Sequence, residues 1–318
     1  MHYIDINDPK IINARDEHYE KMRYILKKKL NGNYFNEKTP FRSKFRINKV
    51  TKIKSSISNF LNDEDNLKKV LIGTPDELDQ IKNKFTSVGL RKSLKRLVNY
   101  DSFIQTDHAG AYREYNAYNL AESLNIPTCV YCNRIYTKTV VNDLGRKITR
   151  PAFDHWFPKT KYPLLALSFY NLVPSCTVCN SGVKGATDFS LSDYFHPYFK
   201  DISNTLDYKF TYDHKNYDEF SFKIKTGNQF SKNSIEAFEL ESIYKAHEDE
   251  IKDLRNIKLA YSEEYLHILE DQILKGVNLD RNDIYRLAFG VHYEEAKFGK
   301  RPLSKMKKDI LIELDIIS

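Results

Sequence analysis

Apolar residues recur at helical spacing along most of the chain. The segment INARDEHYEKMRYILKKKL within residues 1–30 follows this period and ends at an Asn-Gly pair, so it predicts a long first helix. Residues 55–100 predict two or three helices, with a break at the Gly-Thr-Pro sequence of 73–75. Further helical segments are predicted over Tyr112–Leu124, over 233–275 as two helices, and over 281–315.

Other, shorter segments have the residue pattern of β-strands. LDYKFTYD and EFSFKIKT alternate polar with apolar residues around a polar turn, which predicts a β-hairpin at about 206–226. ITRPAF and FYNLV have the pattern of short strands, and TVCNSGVKG that of a short helix. The stretch FRSKFRINKVTKIK, Phe41–Lys54, is either an extended arm or strand along a phosphate backbone or a surface strand with one wet face. The predicted fold class is therefore α+β and mainly helical.

Composition indicates a folded protein without a membrane segment. The chain has 318 residues, of which 41% are hydrophobic and 13% aromatic, enough to bury a core and to exclude wholesale disorder. It contains no apolar run of about 18 residues, the length that a transmembrane helix needs. The N-terminus MHYIDINDPK lacks a signal pattern. We therefore expect a cytoplasmic protein with no membrane partner.

The positive charge is concentrated in the N-terminal third. Residues 1–100 carry 22 Lys and Arg against 12 Asp and Glu, whereas residues 101–318 carry 28 against 31. This asymmetry favours a polyanionic partner such as nucleic acid, with Lys44, Arg46 and Lys49 as expected contacts. The alternative is a solvated, lysine-rich helical surface.

The four cysteines of the chain form two C-x-x-C pairs, Cys129 with Cys132 and Cys176 with Cys179, separated by 43 residues. In a cytosolic protein of this size such pairs bind metal more often than they form disulfides. We therefore predict a structural Zn²⁺ ion in a closed four-cysteine site.

Polar residues suited to chemistry lie between and beside these pairs. Asp154 and His155 follow the first short strand, Asn171 lies on the second, and Asn180 comes directly after the last cysteine. At about 100° per residue, Asn180 and Lys184 would project from a helix face adjoining the cysteines. The predicted order is strand, loop, strand, helix.

This arrangement resembles the HNH (ββα-metal) endonuclease family. The resemblance rests on the two cysteine pairs, the Asp-His pair, the two asparagines and the Lys-Gly sequence at 184–185, and it covers roughly residues 128–187. The wording DHWFPK, LSFYNLVPSC and CN is similar to the four-cysteine zinc subfamily in bacterial anti-phage defence nucleases of the Septu or retron-associated type.

The resemblance implies a role for each residue. His155 would be the general base that deprotonates water, and Asn171 would bind the loop and orient that histidine. Asp154 and Asn180 would hold one Mg²⁺ or Mn²⁺ ion, with Asn180 standing where many members have histidine. Residues that could contact the substrate phosphate, or equally be solvated charges or a loop residue, are Lys184, Arg150 and His196.

The residue pattern, the charge distribution and the resemblance together predict an organisation and a function. We expect a basic helical region at 1–110 that binds DNA, a zinc-bound nuclease domain at 111–200, and a hairpin with helices at 201–318. The expected activity is DNA phosphodiester hydrolysis in an anti-phage effector, with an ATPase or retron-type protein as partner. Two alternatives stay open: a non-catalytic zinc module that binds nucleic acid, and an RNA-cleaving toxin.

Overall fold

The computed structural model describes residues 1–105, 110–201, 203, 205–216, 219–261, 268, 272 and 279–317. The α-helices are α1 Pro9–Asn31, α2 Ser55–Asn62, α3 Glu64–Ile72, α4 Pro75–Ile81, α5 Val88–Val98, α6 Tyr100–Ile104, α7 Ala117–Leu124, α8 Gln229–Ala237, α9 Leu240–Tyr244, α10 Glu248–Tyr261, α11 Arg281–Phe289 and α12 Ser304–Glu313. The strands are β1 Val140–Val141, β2 Lys147–Thr149, β3 Ala152–His155, β4 Leu172–Ser175, β5 Tyr208–Asn216 and β6 Glu219–Thr226. Single 3₁₀ turns occupy Gly32–Tyr34, Gly110–Tyr112, Pro163–Leu165, Phe169–Asn171, Lys245–His247 and Glu295–Lys300, and a π-helical turn occupies Val178–Lys184.

The first helix forms where the apolar period predicts it. The Asp8 side chain caps α1 by accepting from the Lys10 backbone N–H, and Pro9 occupies the first turn, where its missing donor costs nothing. The helix ends at Gly32, whose φ of 62° suits a residue without a side chain. α1 packs against α3, α5 and α7, so it is the central helix of the N-terminal half.

Residues 55–100 are more segmented than predicted. The structure has α2, α3, α4 and α5 there, because capping side chains restart the helix repeatedly. Asp63 accepts from the Asn66 backbone N–H at 2.9 Å, and Thr74 forms a capping box with Glu77. Asn99, at φ 49°, separates α5 from α6.

Other helical predictions hold with shifted bounds. α7 begins at Ala117 rather than 112, because Asn116 caps it by accepting from the Tyr118 backbone N–H at 3.0 Å. Helices α8, α9 and α10 occupy the region predicted as two helices, and residues 262–267, 269–271 and 273–275 of that prediction lie outside the described residues. The last helical region is confirmed by α11 and α12.

Within the described residues, three two-stranded antiparallel sheets complete the α+β fold class that the sequence predicts. The predicted hairpin is β5–β6, with Tyr208 opposite Thr226 and Tyr212 opposite Phe222. Helix α12 packs on β5, where the Asp309 carboxylate accepts from the Phe210 backbone N–H at 2.9 Å. Residues 41–54 form neither strand nor helix, so the surface-strand interpretation of this stretch is wrong.

One hydrophobic cluster runs through the whole described chain. It joins Ile25 of α1, Leu120 of α7, Trp156 after β3, Phe210 of β5 and Ile310 of α12, each of them buried. The three regions predicted at 1–110, 111–200 and 201–318 thus share a core, and their boundaries stay predictions. None of the helices in the described part of the chain has the length and apolar character needed to cross a membrane.

His18 connects α1 to the middle of the chain through two buried hydrogen bonds. Its Nε2 lies 2.8 Å from the Leu167 carbonyl oxygen, which can only accept, so Nε2 carries the proton. Its Nδ1 lies 3.2 Å from the Tyr115 hydroxyl, which then donates to it. Burial lowers the pKa of His18 to about 4, against the opposing effect of the Leu167 hydrogen bond.

We expect His18 to make the protein sensitive to mild acid. The unfolded chain protonates this residue near its ordinary pKa of 6.5, whereas the folded chain does so only near 4. The unfolded state therefore binds more protons in this window, and the contribution of His18 is full above pH 6.5 and is lost as the pH falls towards 4. The extra slope in the free energy of unfolding is at most about 1.4 kcal/mol per pH unit.

Urea unfolding at about pH 7, 6 and 5 measures this slope. His18→Gln keeps an amide donor for the Leu167 carbonyl but removes the titration, so its stability should fall less steeply than that of the wild type. Parallel pH dependences in the two proteins would contradict the assignment.

Candidate functional site

The four cysteines come together as predicted. Cys129, Cys132, Cys176 and Cys179 are all buried, and their sulfur atoms lie within 4.8 Å of one another. The Cys132 and Cys176 sulfurs are 3.9 Å apart. A zinc ion with tetrahedral bonds of about 2.3 Å separates its sulfur ligands by about 3.8 Å, whereas a disulfide requires about 2.05 Å. The cluster therefore fits a metal ion such as zinc and contains no disulfide.

Backbone turns position the sulfurs and donate to two of them. In the first pair the Asn133 N–H donates to the Cys129 carbonyl at 2.8 Å, and the Arg134 N–H points to the Cys132 sulfur at 3.5 Å. Asn133 has φ 51°, a conformation that asparagine tolerates better than most residues. In the second pair the Cys179 N–H points to the Cys176 sulfur at 3.4 Å. Such N–H groups stabilise thiolate ligands of a metal.

The segment between the cysteine pairs has the predicted order of elements with one change in geometry. β3 and β4 pair antiparallel, with Ala152 opposite Ser175 and His155 opposite Leu172. The turn Val178–Lys184 follows, but it is π-helical, closed by the Gly185 N–H on the Asn180 carbonyl at 3.0 Å. The angles expected for an α-helix therefore do not apply, and Lys184 points into the core instead of projecting beside Asn180.

His155 ends β3 with its ring held in one orientation. Its Nε2 lies 3.0 Å from the Ala166 carbonyl oxygen, so Nε2 carries the proton and Nδ1 keeps its lone pair. The Tyr100 ring packs edge-on against the imidazole at 4.4 Å. Burial, together with the Lys159 and Lys184 ammonium groups, lowers the pKa of His155 to about 3 against the opposing effect of the Ala166 hydrogen bond. The imidazole is therefore neutral at pH 7.

Asn171 closes the loop that follows His155. Its Oδ1 accepts from the Phe157 N–H at 2.7 Å, and its Nδ2 donates to the Leu165 carbonyl at 2.9 Å. Leu165 precedes Ala166, whose carbonyl contacts the His155 ring, so Asn171 fixes the loop that carries this contact. It ends the 3₁₀ turn Phe169–Asn171, however, and lies just before β4 rather than on a strand.

Asp154 is enclosed in a buried ion pair. Its Oδ1 lies 3.2 Å from the Lys184 ammonium, and its Oδ2 accepts from the Tyr131 hydroxyl at 2.7 Å. The same ammonium donates to the His155 carbonyl at 2.9 Å. Burial raises the pKa of Asp154, and Lys184 and Tyr131 oppose that rise.

This arrangement does not fit the predicted magnesium or manganese ligand. The Asp154 side chain is 1% exposed, both of its oxygens hold a hydrogen bond, and a cationic side chain already neutralises it. Asn180, the other predicted ligand, is only half-buried on the π-helical turn. As placed, Asp154 stabilises the packing of that turn on β3 and offers no oxygen to an ion from solvent.

The three residues considered for phosphate contact are not on an open surface. Lys184 has a fully buried side chain, and His196 is buried with its ring 4.6 Å from that of Trp156. Arg150 is half-buried and donates to the Pro151 and Ile104 carbonyls at 2.7 and 3.2 Å. His196 Nδ1 accepts from the Tyr198 backbone N–H at 3.1 Å, whereas His196 Nε2 and Arg150 Nε are buried without a hydrogen-bond partner.

Three groups at the site carry little or no sequence signal. The Ala166 carbonyl and the Tyr100 ring contact His155 only because the fold brings them there. Lys159 is half-buried with its ammonium 4.5 Å from the centre of the Tyr100 ring. Within the described residues it forms no ion pair with a carboxylate, so its charge is open to an anion. Its position four residues after His155 was the signal that could have identified it.

Searches against protein-family models, curated proteins and solved structures returned no match to this chain. The class of protein is therefore defined by its own fold and site. It is an α+β protein with a four-cysteine cluster that fits zinc and, at the end of β3, a buried histidine of defined tautomer.

We expect the purified protein to contain about one zinc ion per chain. Cys176→Ser should lose that zinc and unfold at a lower temperature, because a structural metal contributes directly to folding. Elemental analysis and thermal unfolding with and without a chelator measure both effects. Thr177→Ser, at the exposed neighbouring position, is the matched control. Unchanged zinc content in Cys176→Ser would refute the assignment of the ligand.

The buried ion pair yields a second expectation. Lys184→Met leaves the Asp154 carboxylate buried without its cation and should lower the free energy of unfolding by about 3–5 kcal/mol. The double variant Lys184→Met/Asp154→Asn removes the orphaned charge and should recover part of that loss. Urea unfolding of the wild type and the two variants tests this, and a loss below about 1 kcal/mol in Lys184→Met would show that the pair contributes little.

Proposed function

We propose that this protein is an endonuclease of the HNH type that hydrolyses DNA phosphodiester bonds with a water molecule deprotonated by His155. The observation that carries the proposal is the hydrogen bond from His155 Nε2 to the Ala166 carbonyl. It leaves Nδ1 as a neutral, oriented base, which is the form that general-base catalysis requires.

The neighbouring groups support this role for His155. The Ala166 carbonyl holds the ring from the loop side, Asn171 fixes that loop through the Leu165 carbonyl, and Tyr100 packs on the ring. Lys159 supplies a positive charge next to the ring where a phosphate would bind. A bound phosphate would favour the protonated imidazole and raise the pKa of His155 from its low value, which makes the base stronger once substrate is present.

The proposed reaction is an attack of water on phosphorus. His155 Nδ1 takes one proton, the new bond joins the water oxygen to phosphorus, and the bond to the 3′ oxygen breaks. The products implied by the resemblance are 5′-phosphate and 3′-hydroxyl ends, with the 3′ oxygen taking up a proton.

A divalent cation and a biological setting belong to the proposal on the resemblance alone. Magnesium or manganese would supply charge stabilisation at the phosphate and at the leaving oxygen when bound. Asp154 as placed does not fit such an ion, so the steps above use only the protein's own side chains. A role in anti-phage defence with an ATPase or retron-type partner has the same basis.

We expect His155→Ala to lower DNA cleavage by about 10²–10⁴-fold, the usual contribution of a positioned base. The variant should keep its fold and its zinc, because His155 is not a ligand of the cysteine cluster, and should unfold at a somewhat lower temperature, because the ring's contacts with Ala166 and Tyr100 are lost. The assay follows supercoiled plasmid and total RNA in parallel, each with Mg²⁺, with Mn²⁺ and with a chelator. His214→Ala, an exposed histidine on β5, is the control.

The outcomes separate the three functions considered. Wild-type cleavage rates in His155→Ala would reject this residue as the base. Cleavage confined to RNA would indicate the toxin alternative. Nucleic-acid binding without cleavage, abolished by Cys176→Ser and intact in His155→Ala, would indicate a non-catalytic zinc module.

A further inference from the structure

Residues 41–54 form an arm with two chemically distinct sides. Its apolar side chains pack against the hydrophobic core, and these are Phe41, Phe45, Ile47, Val50 and Ile53. Its six cationic side chains are all exposed, and these are Arg42, Lys44, Arg46, Lys49, Lys52 and Lys54. The arm contains no Asp or Glu. The alternation therefore places the apolar side chains against the core and the cationic side chains in solvent, although the arm does not form a strand.

Backbone hydrogen bonds hold the arm against the helices. The Val50 N–H donates to the Lys29 carbonyl near the end of α1 at 2.8 Å. At the start of the arm, the Glu114 carboxylate accepts from the Arg42 and Ser43 N–H groups at 2.8 and 2.9 Å. The cations are thus presented on an anchored backbone, which reduces the entropy lost when they bind a partner.

Helix α5 continues the same charged surface. It carries Lys92, Lys95 and Arg96 on its exposed side, a half-buried Arg91, and no acidic residue. The end of the arm lies on this helix, since the Lys54 N–H donates to the Ser93 hydroxyl at 3.2 Å. We call the cations of residues 41–54 and of α5 the basic track. Within the described part of the chain, none of them forms an ion pair with a carboxylate.

The basic track leads to His155. α5 packs against the turn Pro163–Leu165, which directly precedes Ala166 and its carbonyl. One residue after α5 ends, Asn99 turns the chain, and Tyr100 places its ring on the His155 imidazole. The 11 residues of α5 span about 16 Å, the rise of about five base pairs of duplex DNA.

The shape of the track favours a double helix over a single strand. Proteins that bind single strands present a series of exposed aromatic rings on which bases stack. Here Phe41 and Phe45 face the core, and the exposed ring next to the arm is that of Tyr34, 92% exposed and 5.9 Å from the Lys49 ammonium. The Cα atoms of residues two apart, such as Lys44 and Arg46, lie at most about 7 Å from each other, close to the rise of two base pairs.

We propose that the basic track is a docking surface for the phosphate backbone of duplex DNA and that it delivers the duplex to the His155 site. The delivery of the duplex to His155 rests on the proposed nuclease function, whereas the binding of duplex DNA to the basic track does not. The contacts are to phosphates, so the affinity depends on salt and little on base sequence.

Binding is measured separately from cleavage. The protein carries His155→Ala and its zinc, no Mg²⁺ or Mn²⁺ is added, and a fluorescent duplex of about 20 base pairs reports binding by anisotropy from about 50 to 200 mM salt. One variant changes the arm, Lys44→Gln/Arg46→Gln/Lys49→Gln, and a second changes α5, Lys92→Gln/Lys95→Gln. The matched control, Lys209→Gln/Lys225→Gln, removes two exposed charges from a cross-strand pair of the β5–β6 hairpin.

Both track variants should weaken binding by about tenfold or more. They should also flatten the plot of log affinity against log salt by about 0.9 for each phosphate that the variant no longer neutralises. The control should bind like the parent. Equal weakening in the control, or an unchanged salt slope in both track variants, overturns the proposal. Tighter binding of a single strand or of duplex RNA of the same length overturns the choice of duplex DNA. Far-ultraviolet circular dichroism and urea unfolding establish that the variants are folded.

The inference and the proposed function can fail independently. Normal DNA binding by the track variants, together with His155-dependent cleavage in otherwise wild-type protein, would reject the docking surface and keep the nuclease. Track-dependent binding without any cleavage would keep the docking surface and reject the nuclease.

Discussion

The cluster of four sulfurs is the constraint on which the candidate site depends. It ties a turn at Cys129 and Cys132 to the chain just after β4, across an intervening 43 residues. The β3–β4 sheet, which lies between these points, consists of two strands of four residues each. Isolated strand pairs of this size are marginally stable in water. A metal ion in the cluster would supply the free energy that so small a sheet lacks. The position of His155 at the end of β3 therefore depends on the cysteine cluster as well as on the pairing of β3 with β4.

Hydrogen bonds between fully buried groups further restrict the geometry of the segment that the cysteine cluster anchors. Asp154, Lys184 and Tyr131 satisfy one another beneath the π-helical turn, and Asn171 satisfies backbone groups of the loop. An unpaired polar group at these depths would cost about 1–3 kcal/mol, so few other arrangements of this segment are compatible with folding. The polar residues around His155 thus define one geometry for the ring.

The sequence predicted those features that have a local signature. Cysteine spacing predicted the cluster of four sulfurs, and strict alternation predicted β5–β6. The inward turn of Lys184 was missed, because the sequence pattern of a short helix does not distinguish an α-helical turn from a π-helical one. The Ala166 carbonyl and Tyr100 were missed because a backbone oxygen is the same at every residue and because Tyr100 reaches His155 only through tertiary packing. The shared core likewise depends on contacts between distant segments, which a single sequence does not reveal.

The hydrogen bond of His18 makes the segment between the cysteine pairs dependent on helix α1. Its ring on α1 binds the Leu167 carbonyl, next to the residue whose own carbonyl holds His155. Helix α5 packs on the turn Pro163–Leu165, which begins the same loop segment. The segment between the cysteine pairs is therefore not a portable module: grafted onto another scaffold without α1 and α5, it would lack both the supports of its loop and the apolar surface that covers it.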